Sequence, residues 1–372
     1  MSDKSKIEWT DATWNPITGC SVVSPGCTNC YAMKLAGTRL KDHPSRSGLT
    51  DDSKAGPVWN GQVRLNEDWL DQPLRWKKPR QIFVCAHGDL FHENVPDEWI
   101  DSVFAVMALA PQHSFQVLTK RPDRMQKYVS AGDHEDSDLF ERIADAGARM
   151  VEDGDLAYSD LIYTQWPLPN VWLGVSAEDQ ARANERIPHL LETPAAVRFV
   201  SAEPLLGPIN LKNITPPGGP MDIMLPLAGL TWRVSGSGSR LSGQHAALDW
   251  VIAGGESGPG ARPMLPDWPR ALRDQCQSAG VAFHFKQWGE WLPIGQSLPG
   301  CGKVHGATAV KPGRMKLHYG GTSSQPPKHA FADRGVEFAA TDDGLLTLRV
   351  GKRAAGRLLD GRTWDQFPEV AS

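Results

Sequence analysis

Six short apolar runs, each closing on a polar or glycine-containing turn, constrain this chain more than any other feature. They are IFVCAHGD (82–89), FQVLTKRP (115–122), VWLGVSAED (171–179), VRFVSAEP (197–204), WVIAGGES (250–257) and VAFHFKQWG (281–289). Near-continuous runs rich in Val, Ile and Phe suit strands buried on both faces, as in parallel sheets. Helical patterns lie between them. DEWIDSVFAVMALA (97–110) repeats apolar residues at helical spacing, with Asp97 as its N-cap. AEDQARANERIPHLLE (177–192) and PDWPRALRDQCQSAG (266–280) follow the same pattern, the second stopping at Gly280. A further strand around Thr13–Thr18 brings the number to seven. The alternation predicts an α/β chain built as a TIM-like βα barrel, whole or partial; an open doubly wound sheet obeys the same alternation.

Three regions interrupt the repeat and read as insertions: 37–62, polar and glycine-containing; 131–168, with a second helical pattern in SDLFERIADAGARMVE; and 211–247, whose PPGGP and SGSGSR are linker-like. The barrel domain is therefore predicted over 1–290, and 291–372 as a C-terminal extension ending in a small β-containing cap.

Three of the six cysteines, Cys20, Cys27 and Cys30, fall in NPITGCSVVSPGCTNCYA (15–32) with the spacing C-x6-C-x2-C. The Pro-Gly turn inside the longer gap can fold Cys20 back towards the other two. Thiolates favour iron–sulfur clusters, zinc or copper(I). A structural zinc site takes four protein ligands, so three thiols point first to a four-iron, four-sulfur cluster with one iron open. The alternatives are a zinc site completed by Cys85, His87 or His92, and a disulfide or unrelated thiols. Cys85 ends an apolar run, as a core thiol or as a hydrogen-atom donor near the cluster.

A βα barrel gathers its site where the C-terminal ends of the strands meet the following loops. Those ends carry His87 and Asp89, Lys120 and Arg121, Ser176 and Glu178, Glu203, Glu256, Lys286 and Gln287. A mixed-charge ring above an apolar interior suits a ligand with both an amino group and a carboxylate. GGES (254–257) is neither a Walker loop nor a dinucleotide fingerprint.

The net charge of −4 announces no general nucleic-acid binder, although two basic groupings offer phosphate contacts. One is Lys77, Lys78, Arg80, Lys120, Arg121, Arg124 and Lys127; the other is Arg349, Lys352, Arg353, Arg357 and Arg362. The longest apolar run, VFAVMALA (103–110), is too short to span a bilayer, and the start carries no signal-peptide core. Clustered cysteines favour a reducing compartment, so a cytoplasmic location without a membrane partner is expected.

Three clustered cysteines with Tyr31 beside the last resemble the cluster loop of radical S-adenosylmethionine (SAM) enzymes, with the first gap three residues longer than their C-x3-C-x2-C. NPITGC, SPGCTNCYA, LTKRP, VWLGVSAED, SAEPLLGPI, AGGESGPGARP and FKQWGE resemble more closely an uncharacterised family of phage and bacterial three-cysteine proteins related to those enzymes. The resemblance implies a 4Fe-4S cluster on Cys20, Cys27 and Cys30, with SAM as second cofactor. Glu178, Glu203 and Glu256 would then meet the SAM amino group, and Ser176, Lys120 and Arg121 its carboxylate. Asp89 and Lys286 complete the expected cofactor-binding set, and Cys85 is the candidate catalytic residue. The resemblance further implies a radical SAM-like enzyme, nucleic acid as a substrate class, and a separately encoded partner protein. A non-enzymatic, metal-containing module that binds nucleic acid or a partner is the alternative.

Overall fold

The computed structural model describes residues 5–133, 137–151, 154–217, 222–235, 238–293, 307–308, 316–317, 338–340 and 346–369. Seven strands form one parallel sheet, curled as a half-barrel: β1 (Ala12–Trp14), β2 (Gln81–Val84), β3 (Ser114–Thr119), β4 (Val171–Ser176), β5 (Val197–Ala202), β6 (Trp250–Gly254) and β7 (Ala282–Gln287). Spatial order follows chain order, and among the described residues β7 does not pair with β1, so the sheet is a half-barrel rather than a closed one.

The expected first strand divides in two. β1 stops at Trp14, and Ile17–Thr18 pairs antiparallel with Arg64–Leu65 instead. Pro16, between them, has no N–H to continue the parallel ladder.

Six helices are α1 (Tyr31–Ala36), α2 (Asp97–Leu109), α3 (Pro122–Ser130), α4 (Leu139–Ala148), α5 (Gly154–Ile162) and α6 (Gln180–Glu192); a seventh, α7 (Asp267–Ala279), ends at Gly280 as predicted. Asp97 is the first helical residue of α2 rather than its cap: Pro96 holds the cap position, and the Asp97 carboxylate accepts from Arg124 at 2.7 Å. Asp179 does cap α6, accepting the Arg182 N–H at 2.8 Å.

Right-handed βα crossovers place the helices on the convex side of the sheet. There Ile82, Val84, Phe115, Val117, Leu173, Val200, Val251 and Phe283 join Ile100, Val103, Met125, Ile187 and Leu272 in the main core. The alternate strand residues face the concave side, where Trp172, Val197, Phe199, Trp250 and Ile252 close around Trp9 of the N-terminal segment. Both faces are thus apolar, which explains why the strands read as continuous runs.

The described residues of the insertions form elements of their own. Within 37–62, Thr50–Ser53 and Gly56–Trp59 make a hairpin. Within 211–247, Asp222–Leu225, Leu230–Ser235 and Gly238–Gln244 form a three-stranded antiparallel sheet, with Met224 buried in the main core, while most of PPGGP and the centre of SGSGSR lie outside the described residues. Near the C-terminus, Leu346–Arg349 pairs antiparallel with both Trp291–Pro293 and Phe338–Ala340. Cys301 lies outside the described residues.

Candidate functional site

The cysteine loop leaves β1 and lies on the edge of the sheet where the strands end. Gly19 bridges Gly88 in parallel register, and the Gly19 N–H donates to the His87 carbonyl at 3.2 Å. Pro25–Cys27 forms a single 3₁₀ turn, and α1 starts immediately after Cys30. The Tyr31 hydroxyl donates to the Ala86 carbonyl at 2.7 Å, tying the start of α1 to the β2 loop. Cys20, Cys27 and Cys30 are half-buried and unpaired, so no disulfide joins them. Cys20 and Cys30 both pack against the small cluster of Ala32, Met33, Ala36, Leu49 and Trp59, and Cys27 is within electrostatic reach of Cys20.

Two carboxylates predicted to meet a ligand instead clasp this loop. Glu178, fully buried, accepts the Gly26 N–H at 3.0 Å and a bond from Ser24, and pairs with Arg186 at 3.1 Å. Burial raises its pKa, but the Ser24 hydroxyl and the Arg186 and Lys120 charges outweigh it and hold the carboxyl below the usual range. Glu256 accepts from Asn29 at 3.0 Å and takes Arg262 on both oxygens, at 2.6 and 2.9 Å. Arg262 continues to the Pro25 carbonyl at 2.9 Å. The segment from Ser24 to Asn29 is thereby pinned from β4 on one side and β6 on the other.

The third anchor is Arg121, at the end of β3. It pairs with Asp89 at 3.2 Å and Glu93 at 3.1 Å, donates to the Ser21 hydroxyl at 2.7 Å, and reaches the Cys20 sulfur at 3.3 Å. Asp89 also accepts from the Thr119 hydroxyl at 2.7 Å and the Lys120 N–H at 3.0 Å. Burial, and then Asp89, push the Cys20 thiol up to about 12 against the pull of Arg121. His92 Nδ1 accepts the Asn94 N–H at 3.1 Å, which leaves Nε2 to donate to the Ser21 hydroxyl at 2.8 Å. His92 is thereby committed to the loop.

Beneath the loop, the concave face changes from aromatic to polar along the strands. Ser176, Ser201, Glu203 and Lys286 form its upper layer. Lys286 pairs with Glu203 at 3.1 Å, and the Ser201 hydroxyl donates to Glu203 at 3.3 Å. Two glycines let neighbours pack close against the strands: a Cβ at Gly174 would stand 2.5 Å from the Phe199 ring of the aromatic floor, and one at Gly254 would stand 2.6 Å from Glu203 Oε1. Tyr31 lies within electrostatic reach of Cys30 and Glu203, so loop and polar layer adjoin.

A family described as "Protein of unknown function (DUF5131)" matches residues 4–368. The chain belongs to this family. No curated protein and no solved structure matches it. For this DUF5131 member the site therefore rests on its own residues.

Among the described residues, no three His, Cys, Asp or Glu side chains are grouped to hold a metal ion as they stand. The donor set still suits an iron–sulfur cluster in its chemistry: three unpaired thiols on one pinned loop, with Arg121 beside Cys20 to offset thiolate charge. A cubane takes each thiolate on a separate iron, and coordination deprotonates a thiol that burial keeps protonated. Cys85 is buried in the main core below the loop, its thiol pushed up to about 12 by burial, and takes no part in the upper layer. Gln287 donates to the Ser257 hydroxyl at 3.0 Å.

The basic groupings are largely spent on the fold. Arg124 holds the His92 and Val95 carbonyls, and Arg80 stacks on Trp76 at 4.7 Å. In the tail, Arg357 pairs with Asp365, Arg362 stacks on Trp364 at 3.7 Å, and Lys352 faces Glu8 at 3.8 Å. Among the described residues no helix is long and apolar enough to cross a membrane. Asn29, Arg186 and Arg262 escaped the strand-end reading, since none ends an apolar run; Ser201 does follow one, in VRFVSAEP, as Ser176 does in VWLGVSAED, and was passed over for Glu203. Asn29 stands between two cysteines and Arg262 inside the glycine-rich GGESGPGAR stretch, the local signals that mark them.

Proposed function

We propose that this chain is an iron–sulfur enzyme of the radical SAM type, its half-barrel a partial TIM-like barrel with the cluster loop across the strand ends. One observation carries the reading. Three unpaired thiols sit on a loop pinned by Glu178, Glu256 and Arg121, beside a polar layer of Ser176, Ser201, Glu203 and Lys286. A structural metal knuckle needs no such layer. Cys20, Cys27 and Cys30 would hold the cluster, which would supply, with an external one-electron reductant, reductive cleavage of SAM for hydrogen-atom abstraction from a bound substrate.

This chain's own residues orient the ligand and exclude water. Glu203 suits the ammonium group of SAM; Lys286, its ion-pair partner, and Ser176 suit the carboxylate. Glu178 and Glu256 act as positioning residues, because their oxygens are occupied by the loop. The aromatic floor of Trp9, Phe83, Trp172 and Trp250 keeps the interior apolar below a reactive intermediate. Modification or repair of nucleic acid is the substrate class we favour, with the recognising surface formed in part by a partner protein.

The test is anaerobic reconstitution with iron and sulfide, then reduction by dithionite in the presence of SAM. We expect a brown protein that forms 5′-deoxyadenosine and methionine. Each of Cys20→Ala, Cys27→Ala and Cys30→Ala should lose most of its bound iron rather than a third. A protein that binds one zinc tightly, takes up no cluster and leaves SAM intact would replace the enzyme reading with a binding module.

A further inference from the structure

Arg46 is a buried cation without a counter-charge. It is 4% exposed, and no carboxylate among the described residues lies within ion-pair distance of it. Nη1 donates to the Ser45 carbonyl at 3.1 Å and hydroxyl at 2.9 Å, and Nη2 donates to His87 Nδ1 at 2.9 Å. Nε has no partner. Burial draws its pKa down to about 10, so it stays charged at neutral pH. Arg64, within its electrostatic reach, also lacks a carboxylate among the described residues and donates to the Pro44 and Ser47 carbonyls. A buried charge is normally paired, because its desolvation is otherwise uncompensated.

The bond from Arg46 decides the state of His87. A guanidinium only donates, so Nδ1 must accept and the ring proton must reside on Nε2. The backbone around the ring is fixed: the His87 N–H donates to Asn15 Oδ1 at 3.0 Å, and its carbonyl accepts from Gly19. The ring stands edge-on to Tyr31, with centroids 5.7 Å apart, in the loop that follows β2. Burial and the Arg46 charge lower its pKa to about 4, which keeps it neutral. The acid of the polar layer, Glu203, is paired with Lys286 at 3.1 Å.

We propose that Arg46 and His87 form a recognition site for a small oxyanion, a carboxylate or phosphate, at the rim of the half-barrel. Arg46 supplies the charge and fixes the tautomer, and His87 Nε2–H donates to the anion's oxygen. The site does not depend on the cluster, so it is tested on metal-free protein, where failure of the iron–sulfur reading has no bearing.

The full chain, carrying ¹⁵N-labelled histidine, is titrated at pH 7 with inorganic phosphate and, separately, with acetate. The His87 resonance, assigned by its absence in His87→Gln, should show the Nε2–H tautomer before any addition and a saturable shift with one probe. Response to phosphate alone identifies a phosphate source, and response to acetate alone a carboxylate. Arg46→Met should weaken binding about tenfold or more and give a mixture of tautomers. Should Arg46→Met fail to fold, His87→Gln, which keeps an N–H donor, should retain binding measured by calorimetry while His87→Phe loses it. A ring protonated on Nδ1, no response to either probe, or equal binding by wild type and His87→Phe overturns the proposal.

Discussion

His284 projects from β7 into the concave face, 1% exposed, and neither ring nitrogen has a hydrogen-bond partner among the described residues. Trp250 and Phe367 stand edge-on to it at 6.0 and 5.7 Å. Burial pushes its pKa down to about 4; Asp365, 4.0 Å away, opposes this, while Arg357 and Lys286 reinforce it. The folded pKa lies below the unfolded value, so the unfolded chain binds the proton more readily. Stability is therefore unaffected above about pH 6.5 and falls as the pH drops towards 4. The loss at pH 5 should be roughly 2 kcal/mol. His284→Phe should remove that part of the loss, which urea unfolding of both proteins at pH 7 and pH 5 will measure. An equal acid loss in the variant would place the titrating group elsewhere.

At the level of elements, the cysteine loop is held by side chains from three strand ends rather than by secondary structure of its own. Glu178 is its most deeply buried anchor, joining the 3₁₀ turn to Arg186 of α6 in a fully buried pair. Glu178→Gln keeps the shape but leaves the buried Arg186 with only the more distant Glu185 carboxylate, 4.0 Å away, at a cost of about 3 kcal/mol. Proteolysis should then cut the loop between Ser21 and Asn29 faster than in wild type, and reconstituted protein should hold less iron. The pair of Glu256 with Arg262 is more exposed on its arginine side, so Glu256→Gln should destabilise less. Reversal of that order would mean that the β6 side carries the loop.

At the scale of the molecule, an open half-barrel leaves strand edges to protect. The β7 edge is covered by the C-terminal segment: Phe285 donates to the Trp364 carbonyl at 2.9 Å, Gln366 to the Phe283 carbonyl at 3.3 Å, and Asp365 bridges His284. Trp364 and Phe367 pack against Phe283 and Trp250. A chain ending at Gly361 should expose an unpaired apolar edge and self-associate, read as a rise in light scattering and a lower Tm. A monomeric truncation with unchanged Tm would show that this strap is dispensable.

Sequence alone determined six of the parallel strands, β2 to β7, the helices α2, α6 and α7, and the common edge where the strands end; α3, and the division of the first strand at Pro16, were not read from it. These follow from local periodicity and from burial on both sheet faces, as in VWLGVS and WVIAG. The nearness of three cysteines is likewise a matter of chain spacing. Tertiary structure decided what the polar strand ends do. A strand-end carboxylate looks the same in sequence whether it faces a ligand or a backbone N–H, and only the fold brings Gly26 to Glu178 and Asn29 to Glu256, across 152 and 227 residues of chain. Openness of the barrel was equally hidden, because closure depends on whether the last strand meets the first. Arg46 and His87 are separated by 41 residues and share no pattern. Their relation arises from the turn segment that precedes the hairpin, where Arg46 meets the loop after β2, a contact that periodicity does not encode.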